Sequence, residues 1–181
     1  MKRISYVMVV VAMIFTGLTS DLGFAQGASF GQQIAILKMI KPDLETIGIM
    51  ATTLSEKDIA NYTRSSLQQG VKVFIAQPKD AREIPVLYKK LISEKKVQLI
   101  IIPISDDKVL LDIGYEYLRE NTLLDKVGLC VQDAALLSTG AFFALDKADG
   151  KLTAYVNQRV AMIVGAMIPK QENPSITFVA R

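Results

Sequence analysis

Hydroxyl, amide and carboxylate side chains follow three of the apolar segments that we predict to be strands. These residues are Thr52, Thr53, Ser55, Ser105, Asp106, Gln132 and Asp133. Such groups, with the backbone N–H groups of a helix N-terminus, can bind a small polar molecule. A ligand with a carboxylate and an ammonium group would place the carboxylate at the helix start near Thr53 and Ser55, and the ammonium near Asp106 or Asp133. The alternative for each residue is simple helix capping, which needs no ligand.

Composition excludes most catalytic chemistry. The 181 residues include no histidine. This excludes a Ser-His-Asp or Cys-His catalytic site and a histidine-based metal site. One cysteine, Cys130, excludes an internal disulfide and a redox pair, and we expect it to be a core residue. No dinucleotide-binding or P-loop motif follows a predicted strand. We therefore predict a protein that is not an enzyme and has no catalytic residue, no cofactor and no metal.

The charged residues point to neither a cation site nor nucleic acid. Asp106 and Asp107 are adjacent carboxylates, but two such groups alone are weak evidence for a cation, and we expect a solvated helix start there. The 21 basic and 18 acidic residues are spread along the chain. This distribution predicts no nucleic-acid partner.

Apolar segments alternate between strand-like and helix-like periodicity. Predicted strands cover residues 46–50, 71–76, 97–104, 127–131 and 141–145, with a closing strand at 176–179. Helical spacing is present in residues 32–40, 84–92, 110–118 and 152–167, and another helix follows a capping box formed by Thr53 and Glu56 or by Ser55 and Asp58. The pattern predicts one α/β domain, a three-layer, doubly wound, mostly parallel sheet with strand order 2-1-3-4-5.

This fold makes specific residues candidates for the core. The strand residues expected to be buried are Ile47, Ile49, Val73, Ile75, Ile100, Ile102 and Leu129. The helix residues expected to cover them are Leu87, Leu91, Ile113, Leu118, Val160 and Ile163.

The N-terminus has the three parts of a secretory signal. Lys2 and Arg3 precede an apolar run over residues 4–18, and Gly23-Phe24-Ala25 supplies small residues before a cleavage point. The run is short for a membrane-spanning helix. We predict a signal peptide over residues 1–25, a mature domain over 26–181 and a periplasmic location. An uncleaved membrane anchor and an earlier cleavage near residues 18–20 are the alternatives.

Four stretches carry a resemblance to a known family. They are residues 37–50, 97–106, 126–133 and 140–145, and their order and spacing resemble one lobe of the ABC transporter substrate-binding proteins of the tryptophan/tyrosine type. That family has the fold of type I periplasmic binding proteins. Ala51-Thr52-Thr53 departs from the family's Tyr-Asn-Pro turn, and the sequence has length for one lobe where family members have two.

The resemblance implies a binding function. The first hypothesis is an exported solute-binding component of an ABC-type uptake or sensing system, which binds a small amino-acid-like ligand and works with a membrane permease or another envelope protein. A homodimer could rebuild the two-lobed cleft. The second hypothesis is an exported interaction module that docks on a membrane partner and binds no small molecule.

Overall fold

A computed structural model describes residues 28–104, 107–148, 150–169 and 176–180. The predicted signal peptide and two candidate site residues, Ser105 and Asp106, lie outside these ranges. In the described ranges, no helix is long and apolar enough to cross a membrane.

A sheet of seven strands organises the described part of the chain. Its spatial order is β2-β1-β3-β4-β5-β6-β7, and all neighbours are parallel except the antiparallel pair β5 and β6. The strands are β1 Thr46–Met50, β2 Lys72–Ala76, β3 Leu99–Ile101, β4 Gly128–Val131, β5 Phe143–Ala148, β6 Lys151–Val156 and β7 Ile176–Ala180. The predicted α/β class and the order 2-1-3-4-5 are confirmed, and β6 and β7 extend that order.

Helices cover both faces of the sheet. They are α1 Phe30–Ile40, α2 Glu56–Gln68, α3 Ile84–Ser93, a π-helical turn Val109–Ile113, α4 Tyr115–Leu124, a 3₁₀ helix Ala134–Thr139 and α5 Gln158–Val164. One apolar core joins α1, α2 and α5 to the sheet, and a second lies under α3, the π-helical turn and α4. Within β3, Leu99 and Ile101 enter the first core and Ile100 the second, so both faces of this strand are buried.

Local sequence explains where the helices begin and end. Ser29 and Gln32 form a capping box at the start of α1, and Ser55 and Asp58 form the one at the start of α2. Of the two capping spacings in the sequence, the structure therefore uses the one at Ser55. Gly165, with a φ of 71°, ends α5 in the left-handed conformation that glycine adopts most easily.

The prediction of a long last helix over residues 152–167 is wrong. Residues up to Val156 form β6, which pairs with β5 in an antiparallel hairpin, and α5 begins only after Asn157, whose side chain accepts a hydrogen bond from Val160 N. Leu152 and Val156 are four residues apart, a spacing that fits both one helix face and alternate positions of a strand. The hairpin satisfies the backbone groups of this segment within the sheet.

Most of the predicted core residues are buried. The prediction is confirmed for Ile47, Ile49, Leu91, Ile100, Ile102, Leu118, Leu129, Cys130 and Val160. Val73 and Ile75 are half-buried because β2 is an edge strand, and Leu87 is also half-buried. The prediction is wrong for Ile113 and Ile163, which are 67% and 40% exposed. Ile113 ends the π-helical turn, whose wider helix breaks the 3.6-residue spacing assumed for residues 110–118.

Candidate functional site

The carboxyl ends of β1, β3 and β4 meet at one edge of the sheet because these strands are parallel neighbours. Thr52 follows β1, Asp107 follows β3, and Gln132 and Asp133 follow β4. This is the edge at which doubly wound sheets bind ligands. The structure therefore places Thr52, Gln132 and Asp133 at the same edge, as the strand order predicts.

Asp107 connects two of these loops. One carboxylate oxygen, Oδ2, accepts hydrogen bonds from Thr52 N at 2.8 Å and from Thr52 Oγ1 at 2.9 Å. The other oxygen accepts a hydrogen bond from Leu110 N at 3.2 Å. Asp107 is 5% exposed, so the expectation of a solvated helix start is wrong for this residue. Sequence reasoning missed its role because a carboxylate at a polar helix start is usually solvated, and nothing in the sequence marks Asp107 as buried.

The helix start after β1 is already occupied by acidic groups of the chain itself. Ser55 Oγ donates to Asp58 Oδ2 at 2.6 Å and accepts from Asp58 N at 3.1 Å. Glu56 and Asp58 both lie in the first turn of α2. A ligand carboxylate placed beside Thr53 and Ser55 would meet this negative charge, which opposes the attraction of the helix dipole.

The loop after β4 contains one satisfied and one unsatisfied polar group. The Asp133 carboxylate accepts a hydrogen bond from Ala135 N at 2.8 Å and caps the 3₁₀ helix. Gln132 Nε2 is buried and has no hydrogen-bond partner. Buried polar groups are usually paired, so this buried amide stands out among the predicted site groups as one without a partner.

A second feature is apolar and lies elsewhere on the surface. Met39, Met162, Ile163 and Met167 are 40%, 71%, 40% and 73% exposed, and we call them the methionine patch. Their helix ends are held together, since Met167 N donates to Ile40 O at 2.7 Å and Lys41 Nζ donates to Val164 O at 3.1 Å. Sequence reasoning missed this patch because it assigned two of its residues, Ile163 and Met167, to the apolar face of one long helix.

The segment around α5 carries little charge. Residues 157–169 contain no Asp or Glu, and Arg159 is their one charged residue. Asp43, which is exposed, forms an ion pair with the buried Lys41 at 3.1 Å, so that carboxylate is neutralised next to the end of α5. The methionine patch is therefore an apolar surface bordered by a cation.

Metal-ligating and nucleophilic side chains are dispersed or buried in the described residues. In residues 28–104, 107–148, 150–169 and 176–180, no group of three or more His, Cys, Asp or Glu side chains could hold a metal ion. Burial raises the pKa of the Cys130 thiol well above its usual range, so it remains protonated and does not act as a nucleophile.

Comparisons with solved structures agree on the fold. The chain superimposes on an ABC domain in complex with L-Trp from Streptococcus pneumoniae with a TM-score of 0.66 and 16% identity, over 82% of this chain and 59% of that one. It superimposes on a ligand-free, open substrate-binding protein with adhesive properties from Clostridium difficile with a TM-score of 0.66 and 14% identity. That match covers 86% of this chain and 61% of the other.

The fold is that of one lobe of a substrate-binding protein. A conserved domain protein from Vibrio cholerae gives the same result, with a TM-score of 0.65, 14% identity and coverage of 87% of this chain and 62% of that one. This chain thus spans about three fifths of the length of the structures that it matches. No family model matches the sequence, and no curated protein matches it significantly.

Proposed function

We propose that this protein is an exported interaction module that uses one binding-protein lobe to dock on a membrane-anchored envelope protein. The observation that carries the proposal is the methionine patch. Two of its side chains, Met162 and Met167, are more than 70% exposed. Clustered apolar groups on a folded surface mark binding sites, whereas scattered ones need no explanation.

Methionine suits such a surface. Its side chain is unbranched and polarizable, so it adapts to partners of irregular shape. Outside the predicted signal peptide the chain has four methionines, and three of them belong to the methionine patch. The fourth, Met50, is fully buried.

The charge around the patch selects the kind of partner. Arg159 is exposed on α5, and the segment of residues 157–169 has no acid to oppose it. A second copy of the same surface would bring two such cations together, which is unfavourable. We therefore infer a partner that presents an apolar segment flanked by acidic residues.

The carboxyl edge supports ligand binding less well. Thr52 N and Oγ1 both donate to Asp107, Ser55 is engaged with Asp58, and Asp133 caps a helix. Groups already paired within the protein gain little from a ligand, because each new hydrogen bond replaces an existing one.

Site-specific photo-cross-linking in intact cells of the native organism tests the proposal. A photoreactive residue replaces Met162, and the control replaces Val86, which is 69% exposed on α3 and thus on the opposite face of the sheet. We expect an adduct with one integral membrane protein from position 162 and none from position 86. Equal adducts from both positions, or none from position 162, would contradict the proposal.

Solute binding is the second candidate, and two observations favour it. Gln132 Nε2 is buried without a partner, and a structure with the same fold is a complex with L-Trp. In this case a small amino-acid-like ligand would lie near Thr52, Gln132, Asp133 and the loop of residues 105–106, and a permease of an ABC-type system would be the membrane partner. Thermal shift against the common L-amino acids tests it, since a ligand of the native state raises the midpoint. A raised midpoint that Gln132→Ala abolishes would favour this candidate.

Export is common to both candidates. N-terminal sequencing of the protein isolated from the envelope should begin at Gln26 or within a few residues of it. Full-length protein in the membrane would instead favour the uncleaved anchor.

A further inference from the structure

The methionine patch is also a place where oxidation would act selectively. Thioether sulfur reacts with two-electron oxidants, and its rate depends on exposure. Met162 and Met167 are 71% and 73% exposed, Met39 is 40% exposed, and Met50 is 0% exposed. The other sulfur of the described residues, Cys130 Sγ, lies in a fully buried residue, so a peroxide reaches the methionine patch first.

We propose that Met162, Met167 and Met39 form a methionine-sulfoxide modification site that releases the docked partner. This inference rests on the docking function proposed above. Hydrogen peroxide transfers one oxygen atom to the sulfur: the O–O bond breaks and an S–O bond forms. The transferred oxygen loses its proton to the remaining hydroxide, which leaves as water. The sulfur loses two electrons and the peroxide gains them.

The modification changes the surface from apolar to polar. A sulfoxide oxygen is a strong hydrogen-bond acceptor, and burying it in an apolar interface without a donor is costly. The carbonyl oxygens of Ile40 and Val164 accept the hydrogen bonds that hold the helix ends together, from Met167 N and Lys41 Nζ. Neither bond uses a sulfur atom, so the fold itself should tolerate oxidation. Methionine sulfoxide is reduced enzymatically, so the change is reversible.

Peptide mass spectrometry after a peroxide titration tests the modification site. We expect sulfoxide at Met162 and Met167 first, then at Met39, with Met50 unmodified until the protein unfolds. Met50 is the internal control because it belongs to the same chain and is fully buried. Oxidation of Met50 at the rate of Met162 would overturn the proposal.

Photo-cross-linking tests the release of the partner. The photoreactive residue replaces Ile163, which lies in the patch and is not oxidised. We expect peroxide to lower the adduct yield roughly tenfold, because unpaired acceptors enter the interface. A variant with Met39, Met162 and Met167 changed to Leu keeps the apolar surface but has no sulfur there to oxidise. Its adduct yield after peroxide should stay within about twofold of its yield before peroxide.

The outcomes separate the two proposals. An adduct whose yield is unaffected by complete sulfoxide formation would overturn the modification proposal and leave docking intact. The absence of an adduct before peroxide treatment would contradict docking at the methionine patch. It would also contradict the modification proposal, which depends on docking. Recovery of the yield after treatment with methionine sulfoxide reductase would support the proposed switch.

Discussion

Asp107 holds Thr52 through a single carboxylate oxygen, which accepts hydrogen bonds from both the backbone N–H and the hydroxyl of Thr52. Its second oxygen accepts from Leu110 N in the π-helical turn. One buried carboxylate thus joins the loop after β1 to the helical segment after β3. This connection fixes the carboxyl edge of the sheet and uses polar groups that a ligand would otherwise need.

Replacing Asp107 by Ala should destabilise the protein by about 3 kcal/mol, because three donors lose a largely buried acceptor. Asp107→Asn should cost less, since one accepting oxygen remains. Urea unfolding measures both. The control is Asp112→Ala, at an exposed position of the π-helical turn. Its free energy of unfolding should stay within about 0.5 kcal/mol of the wild-type value. Equal effects at the two positions would show that the connection contributes nothing.

Ser66 is a buried residue whose replacement should stabilise the fold. Its hydroxyl oxygen is fully buried in α2 and has no hydrogen-bond partner. Ser66→Ala removes this unpaired group and should raise the free energy of unfolding by about 1 kcal/mol. Thr122→Val is the contrast, because Thr122 Oγ1 donates to Arg119 O at 3.1 Å and its loss should destabilise. A loss of stability in Ser66→Ala would contradict the assignment.

Tyr62 should make the protein sensitive to alkali. Burial, and then the nearby negative charge of Asp58, raise the pKa of Tyr62 from 10.0 to about 12. The unfolded chain releases the Tyr62 proton at lower pH than the folded chain does. The contribution of Tyr62 to the free energy of unfolding is therefore complete below pH 10 and declines between pH 10 and about 12. Tyr62→Phe keeps the ring beside Phe30, whose centroid is 4.7 Å away, and should lose less stability over that interval. Identical losses in both proteins would contradict the prediction.

Cys130 should be unreactive until the protein unfolds. It lies in β4 with no exposed surface, and burial raises its pKa. The thiolate is the reactive form, so both exposure and ionisation oppose labelling. A thiol reagent such as DTNB should label it completely in concentrated guanidinium chloride and negligibly in buffer. Rapid labelling of the native protein would show that β4 opens locally.

The sheet was predictable from sequence because its strands are short, continuous apolar runs separated by amphipathic helices. β3 illustrates this, since its three residues are buried on both faces and no polar alternation is left to confuse the pattern. The β5–β6 hairpin was not predictable, because the spacing of Leu152 and Val156 fits a helix as well as a strand.

The candidate site was predictable only in part. Parallel strands bring Thr52, Gln132 and Asp133 to one edge, as expected from their positions after strands. The pairing of Thr52 with Asp107 was not predictable, because nothing in the sequence marks Asp107 as a buried acceptor. Ile163 is exposed because Val160, Ala161 and Val164 form the buried face of α5, and the apolar periodicity did not separate that face from Ile163.

Membrane association in envelope fractions of the native organism tests whether the methionine patch is the docking surface. Met162→Asp places a charge in the patch, and Val86→Asp places the same charge on the opposite face; both positions are about 70% exposed, so neither change should alter stability by more than about 0.5 kcal/mol. We expect the wild type and Val86→Asp to sediment with the membranes and Met162→Asp to remain in the soluble fraction. Retention of Met162→Asp on the membranes at the wild-type level would contradict docking through this patch.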